Sequence, residues 1–157
     1  MEKFLQNLQE ADKIIRTVDH LVYVTFPLVK DKRMLLNIIT ETKKATVLCI
    51  NSILQYDYLF KKIRLYQNTE DNLRTFKEKC APRYGINQDE IKKIISLFEL
   101  AEKHKKSPLE FVRKDRVIIM SESFYPEAIT LEKVKEYVIL AKNLLFKIKN
   151  SIKTNYY

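Results

Sequence analysis

From Leu35 to Ile63 the chain returns apolar or small residues at intervals of three and four, through Ile38, Thr42, Ala45, Cys49, Ser52, Tyr56 and Leu59. That is the period of one face of a helix. A second row at Ile39, Thr46, Ile50, Ile53 and Phe60 runs beside it, so the apolar arc is too wide for a helix lying on a surface. The pattern predicts a central helix surrounded by others, its small residues letting neighbours come close and its Tyr56 and Phe60 filling the wider end. Glu41, Lys43, Lys44, Asn51 and Asp57 interrupt the same segment, and their cost in lipid argues against a membrane span. The first ten residues are broken by polar side chains and lack the apolar core of a signal peptide.

The neighbours of this spine are legible too. Phe4, Leu8, Ala11, Ile15, Val18 and Val22 form the stripe of a first helix, expected to end before Pro27, with Asp31 capping the next element. A shorter helix is expected from Glu70 to Ala81, closed by Pro82 and Gly85, with Glu70 and Asp71 at its positive end. Asn87 and Glu90 have the spacing of a capping box and introduce a fourth helix, with Ile91, Ile94, Ile95, Phe98 and Ala101 as its apolar face. Ser107-Pro108 suits the start of a short helical turn, with Leu109 and Phe111 as core plugs. Val117 to Met120 and the residues around Ala128-Ile129 favour strand and suit a small two-stranded β-hairpin. Thr130 then caps a last helix with the face Leu131, Val134, Val138, Ala141, Leu145, Ile148 and Ile152. The fold class is therefore mainly α: an antiparallel bundle of about five helices, with a small hairpin before the last. At 157 residues, without linker, repeat or low-complexity block, residues 1–157 are expected to form a single domain.

Absences narrow the chemistry. Gly85 is the only glycine, whereas phosphate-binding loops and dinucleotide fingerprints need several. Two cysteines and two histidines, none at metal-ligand spacing, make no metal site, and no cofactor is implied. Cys49 and Cys80 are expected as free thiols in a reducing, cytoplasmic setting.

A formal charge of +9 points toward an anionic partner, although a lysine-rich chain with abundant Ile, Asn and Tyr is also what a low-GC genome yields. The excess is concentrated. Residues 103–116 hold six Lys or Arg against Glu110 and Asp115, and residues 131–157 hold six Lys against Glu132 and Glu136. In the first stretch Lys105, Lys106, Arg113, Lys114 and Arg116 would converge if the turn after the fourth helix folds back, giving a surface for phosphate contacts without base readout. Tyr66, Tyr84 and Tyr125 are candidates to stack on bases.

One pair suggests catalysis. Arg16 and His20, four apart, share a helix face, with Asp12 one turn earlier and Asp19 adjacent. Imidazole can move a proton near neutral pH while guanidinium neutralises charge developing on a phosphorane. This pair resembles that of the HEPN superfamily, small helical bundles that include metal-independent ribonucleases. Here the two residues stand closer than in that family and in the first helix instead of a late one. A broader resemblance rests on Asp19-His-Leu-Val-Tyr-Val-Thr-Phe-Pro-Leu-Val-Lys30, Lys77-Glu-Lys-Cys-Ala-Pro-Arg-Tyr84 and His104-Lys-Lys-Ser-Pro-Leu-Glu-Phe111. These segments are similar to a family of small helical proteins from DPANN archaea. The likeness implies a cytoplasmic archaeal protein with a shared fold, and it transfers no catalytic or binding residue. The function expected is thus a non-enzymatic module binding RNA or a protein partner through the basic surface, with a HEPN-like ribonuclease as the alternative. No membrane partner is expected, and a homodimer is compatible with the sequence.

Overall fold

The computed structural model describes residues 2–107, 109–114, 116–120 and 126–156, with side chains as far as 152. Five helical runs and one small antiparallel sheet form a mainly α bundle. The first run is α1 (Lys3–His20), a widened π turn (Leu21–Thr25) and α2 (Phe26–Val29). Pro27 does not end it. A proline ring crowds the carbonyl four residues back, and the wider turn, in which the Phe26 amide donates to the Leu21 carbonyl, takes up that crowding. The run stops only at Lys30, whose φ of 57° reverses the chain.

Asp31 accepts from the Arg33 amide at 3.0 Å and leads into α3 (Met34–Leu59), the spine. Leu35, Ile38, Ile39, Ala45, Cys49 and Ile53 are fully buried. Thr42 and Thr46 are buried as well, each hydroxyl donating to a carbonyl one turn back at 2.7 and 2.9 Å. The arc ends sooner than its spacing suggests: α3 stops at Leu59, leaving Leu59 and Phe60 exposed, while Ile63 is buried from the loop beyond. Phe60 covers Tyr56 from outside, with ring centres 4.7 Å apart, instead of filling the bundle's end.

α4 (Thr69–Thr75) is shorter than expected and capped by Asn68, whose side chain accepts from the Glu70 amide. A second π turn (Phe76–Cys80) and a 3₁₀ turn (Ala81–Tyr84) carry the chain past Pro82 to Gly85 at φ 71°. Both prolines are thus approached through a π turn, for the same steric reason. The Asn87–Glu90 capping box opens α5 (Gln88–Lys106). Its buried face is Ile91, Ile94, Leu97 and Leu100, with Ile95, Phe98 and Ala101 at the margin, a rotation of the expected stripe.

Side-chain contacts give the directions of the helices. Near the start of α1, the Phe4 carbonyl accepts from Ser52 at 2.9 Å and its ring meets Tyr56 edge-on, so α1 and α3 are antiparallel. α6 (Leu131–Tyr156) starts at Thr130, which caps the Lys133 amide at 3.2 Å. It runs opposite to α1, with Lys142–Asp19 at 2.9 Å and Lys149–Asp12 at 3.3 Å. It also runs opposite to α5, with Tyr137–Ser96 at 2.7 Å and Lys147–Glu90 at 2.5 Å. Its buried residues and those of the other helices join one hydrophobic cluster. No helix among the described residues is long and apolar enough to cross a membrane.

Between α5 and α6 stands a three-stranded sheet: β1 (Leu109–Arg113), β2 (Arg116–Met120) and β3 (Pro126–Ile129). The pairing of β2 with β3 is the expected hairpin. β1 replaces the expected helical turn, and its Leu109 and Phe111 are exposed instead of plugging the core.

Candidate functional site

The sheet's two faces follow from its register. Phe111 stands opposite Ile118 and Arg113 opposite Arg116, and Ile118 stands opposite Ala128. Because side chains alternate along a strand, Leu109, Phe111, Arg113, Arg116, Ile118 and Ala128 share one face. Val112, Val117, Ile119 and Ile129 share the other, and the last three of these are buried against the helices. Polar contacts fix this orientation. Lys103 on α5 reaches Glu127 on β3 at 2.6 Å, the His104 ring meets Glu110 on β1 at 2.5 Å, and the Ser107 hydroxyl donates to the Met120 carbonyl at 2.9 Å. The bond to Glu127 holds the Lys103 ammonium above its ordinary pKa.

The solvent face therefore presents an aromatic ring, aliphatic neighbours and two guanidinium groups on a backbone anchored from behind. Arg113 and Arg116 end the hairpin as a cross-strand pair of like charges, which brings two guanidinium groups to one place on this face. Lys114 occupies the connecting turn with φ 57°. Arg113 and Lys114 have no carboxylate partner among the described residues.

Lys105 and Lys106 are placed differently. They end α5 beside the base of the hairpin, and Lys106 is paired to Glu102 at 3.1 Å. Four strand steps of about 3.3 Å set the tip roughly 13 Å beyond that base. The five cations form two groups, not one: a compact one at the tip and a looser one at the helix end. Tyr66 is exposed far along the sequence in the loop before α4, Tyr84 is buried, and Tyr125 lies outside the described residues.

The phenol of Tyr84 serves another purpose. Asp57, fully buried near the end of α3, accepts from the Tyr84 hydroxyl at 2.9 Å and from the Arg83 guanidinium at 2.5 Å. Burial and then the Asp57 charge push the phenol well above its ordinary pKa. Cys80 lies 3.9 Å from the same guanidinium, and its thiol is raised to about 12, mainly by burial and then by Asp57. Cys49 reaches about 12 by burial within the spine. Both cysteines are free and neither is a thiolate nucleophile at neutral pH. The segment Lys77–Tyr84 thus holds α4 and its continuation onto α3 through one buried carboxylate.

Arg16 and His20 are both exposed on α1. Arg16 is held by Asp12 at 3.0 Å, and the His20 Nδ1 lies 3.3 Å from the Thr25 hydroxyl across the π turn. Arg16 lines a shallow depression of about 240 Å³ against α6 with Asp12, Lys142, Phe146 and Lys149, and His20 is not among its lining residues.

No family model matches this chain. No curated protein matches it either.

Proposed function

We propose that the protein is a non-enzymatic RNA-binding module that holds single-stranded RNA on the outer face of its sheet. The observation that carries this reading is the shared face of Phe111, Ile118, Arg113 and Arg116. A ring on an anchored sheet offers a base a stacking surface, and guanidinium groups beside it suit phosphate. Lys114 adds charge at the tip, and Lys105 and Lys106 extend the basic path toward α5. Aromatic and aliphatic groups with few directional acceptors favour a sequence-tolerant site.

The test is fluorescence anisotropy with a short single-stranded oligonucleotide over a range of salt. Replacing Arg113, Lys114 and Arg116 together by Gln is expected to weaken binding and to lower the log-log salt slope by about 0.7 for each phosphate no longer neutralised. Phe111→Ala should weaken binding by about 1–3 kcal/mol while leaving that slope unchanged, because stacking releases no counterions. Absence of binding at low salt removes the reading.

The second reading, a HEPN-like ribonuclease, draws on the exposure of Arg16 and His20 on one helix face. Its weakness is geometric: the guanidinium is occupied by Asp12 and the imidazole faces Thr25. The purified protein is expected not to cleave single-stranded or transfer RNA without metal. Cleavage lost in both Arg16→Ala and His20→Ala, with folding intact, reverses the ranking.

A further inference from the structure

A groove of about 790 Å³ lies between α3, α4 and α5, and none of its lining residues belongs to the sheet. Its floor is apolar: Val47, Ile50 and Leu54 from α3, Leu73 from α4 and Phe98 from α5. Its charged rim runs against the character of the chain. Lys and Arg outnumber Asp and Glu by 29 to 20 overall, yet Glu70, Glu99 and Glu102 face the groove with Lys43 as the one cation among its lining residues. Glu102 is paired to Lys106 and Glu99 acts on Lys103 one turn along α5, helping to raise its pKa, whereas Glu70, in the first turn of α4, has no ion-pair partner among the described residues. Three carboxylates against one ammonium thus ring an apolar floor, the reverse of the balance over the whole chain.

We propose that the groove docks a cationic amphipathic helix from a protein partner. Apolar side chains at helical spacing would cover the floor, and Lys or Arg beside them would meet Glu70 and Glu99. Charge selects the occupant: an acidic helix would meet like charge at the rim, whereas a cationic one finds carboxylates on both α4 and α5.

Calorimetric titration with a synthetic helical peptide carrying a leucine stripe flanked by lysines tests this, beside the same peptide with glutamates. At +9 the whole molecule repels the first and attracts the second, so a preference for the lysine peptide reports the groove and not net charge. Saturable one-to-one binding of the lysine peptide is expected. Glu70→Gln with Glu99→Gln should weaken it roughly twofold to thirtyfold, the range for two exposed ion pairs. Glu2→Gln with Glu10→Gln, at the start and middle of the first helical run, should change it less than about twofold, since neither residue lines the groove. Val47→Lys, which sets a cation on the floor, should abolish it, with a thermal melt showing that the variant folds. Equal or tighter binding of the glutamate peptide overturns the proposal. So does an unchanged affinity in the Glu70/Glu99 variant, or equal loss in the Glu2/Glu10 variant.

Discussion

Asp57 is held from two sides within the core, by Tyr84 and by an Arg83 that reaches in from the surface. Removing a buried carboxylate leaves its donors unmatched, so Asp57→Ala should cost about 2–4 kcal/mol, less than the loss for a fully buried pair because Arg83 can turn to water. Tyr84→Phe removes one neutral donor and should cost about 1–2 kcal/mol. Denaturant melts measure both, and a change below about 0.5 kcal/mol in the first would show that Asp57 does not fasten α4 to the spine. The cysteines test the same packing from another direction. With both thiols buried and raised to about 12, neither should be alkylated by iodoacetamide at pH 8 in the native protein, and both should react once it is unfolded. Fast labelling of either in the native state would mean that the core opens locally.

At the scale of elements, the spine carries the sharpest expectation. Ile53 is fully buried in α3, and Ile53→Ala should cost roughly 2–5 kcal/mol in a denaturant melt. The π turns illustrate how a local rule is overridden. Proline at 27 and at 82 forbids a regular α-helix through those positions, but it does not forbid helix. Packing on Val22 and Phe26 in the first run, and on Phe76, Cys80 and Ala81 in the third, favours continuing the chain along the bundle with one widened turn. β1 shows the converse. Leu109-Glu-Phe-Val-Arg113 begins to alternate but Val112 breaks the period, so five residues after Ser-Pro offer little to choose between strand and turn, and a lone strand has no stability to predict. Its partner β2 decides the matter, and with it which face Phe111 presents.

For the whole molecule the question is whether charge acts by place or by sum. A net +9 gives every surface some attraction for RNA, so the hairpin triple variant needs a matched control. Lys13, Lys92 and Lys93 are set on α1 and on the far end of α5, away from the sheet, and replacing them by Gln removes the same charge. The sheet reading expects a clearly smaller loss of affinity from that control, and equal losses would assign binding to net charge alone. The sequence by itself determined the helices, the capping box at Asn87, the glycine at the left-handed turn and the identity of the central helix, because each is set by contacts within a few residues. The tertiary structure alone decided the third strand, the separation of the five cations into two groups, the buried Asp57 cluster and the acidic rim around an apolar groove. Those join residues far apart in the chain, and no period along one helix or strand encodes which distant side chain will stand opposite.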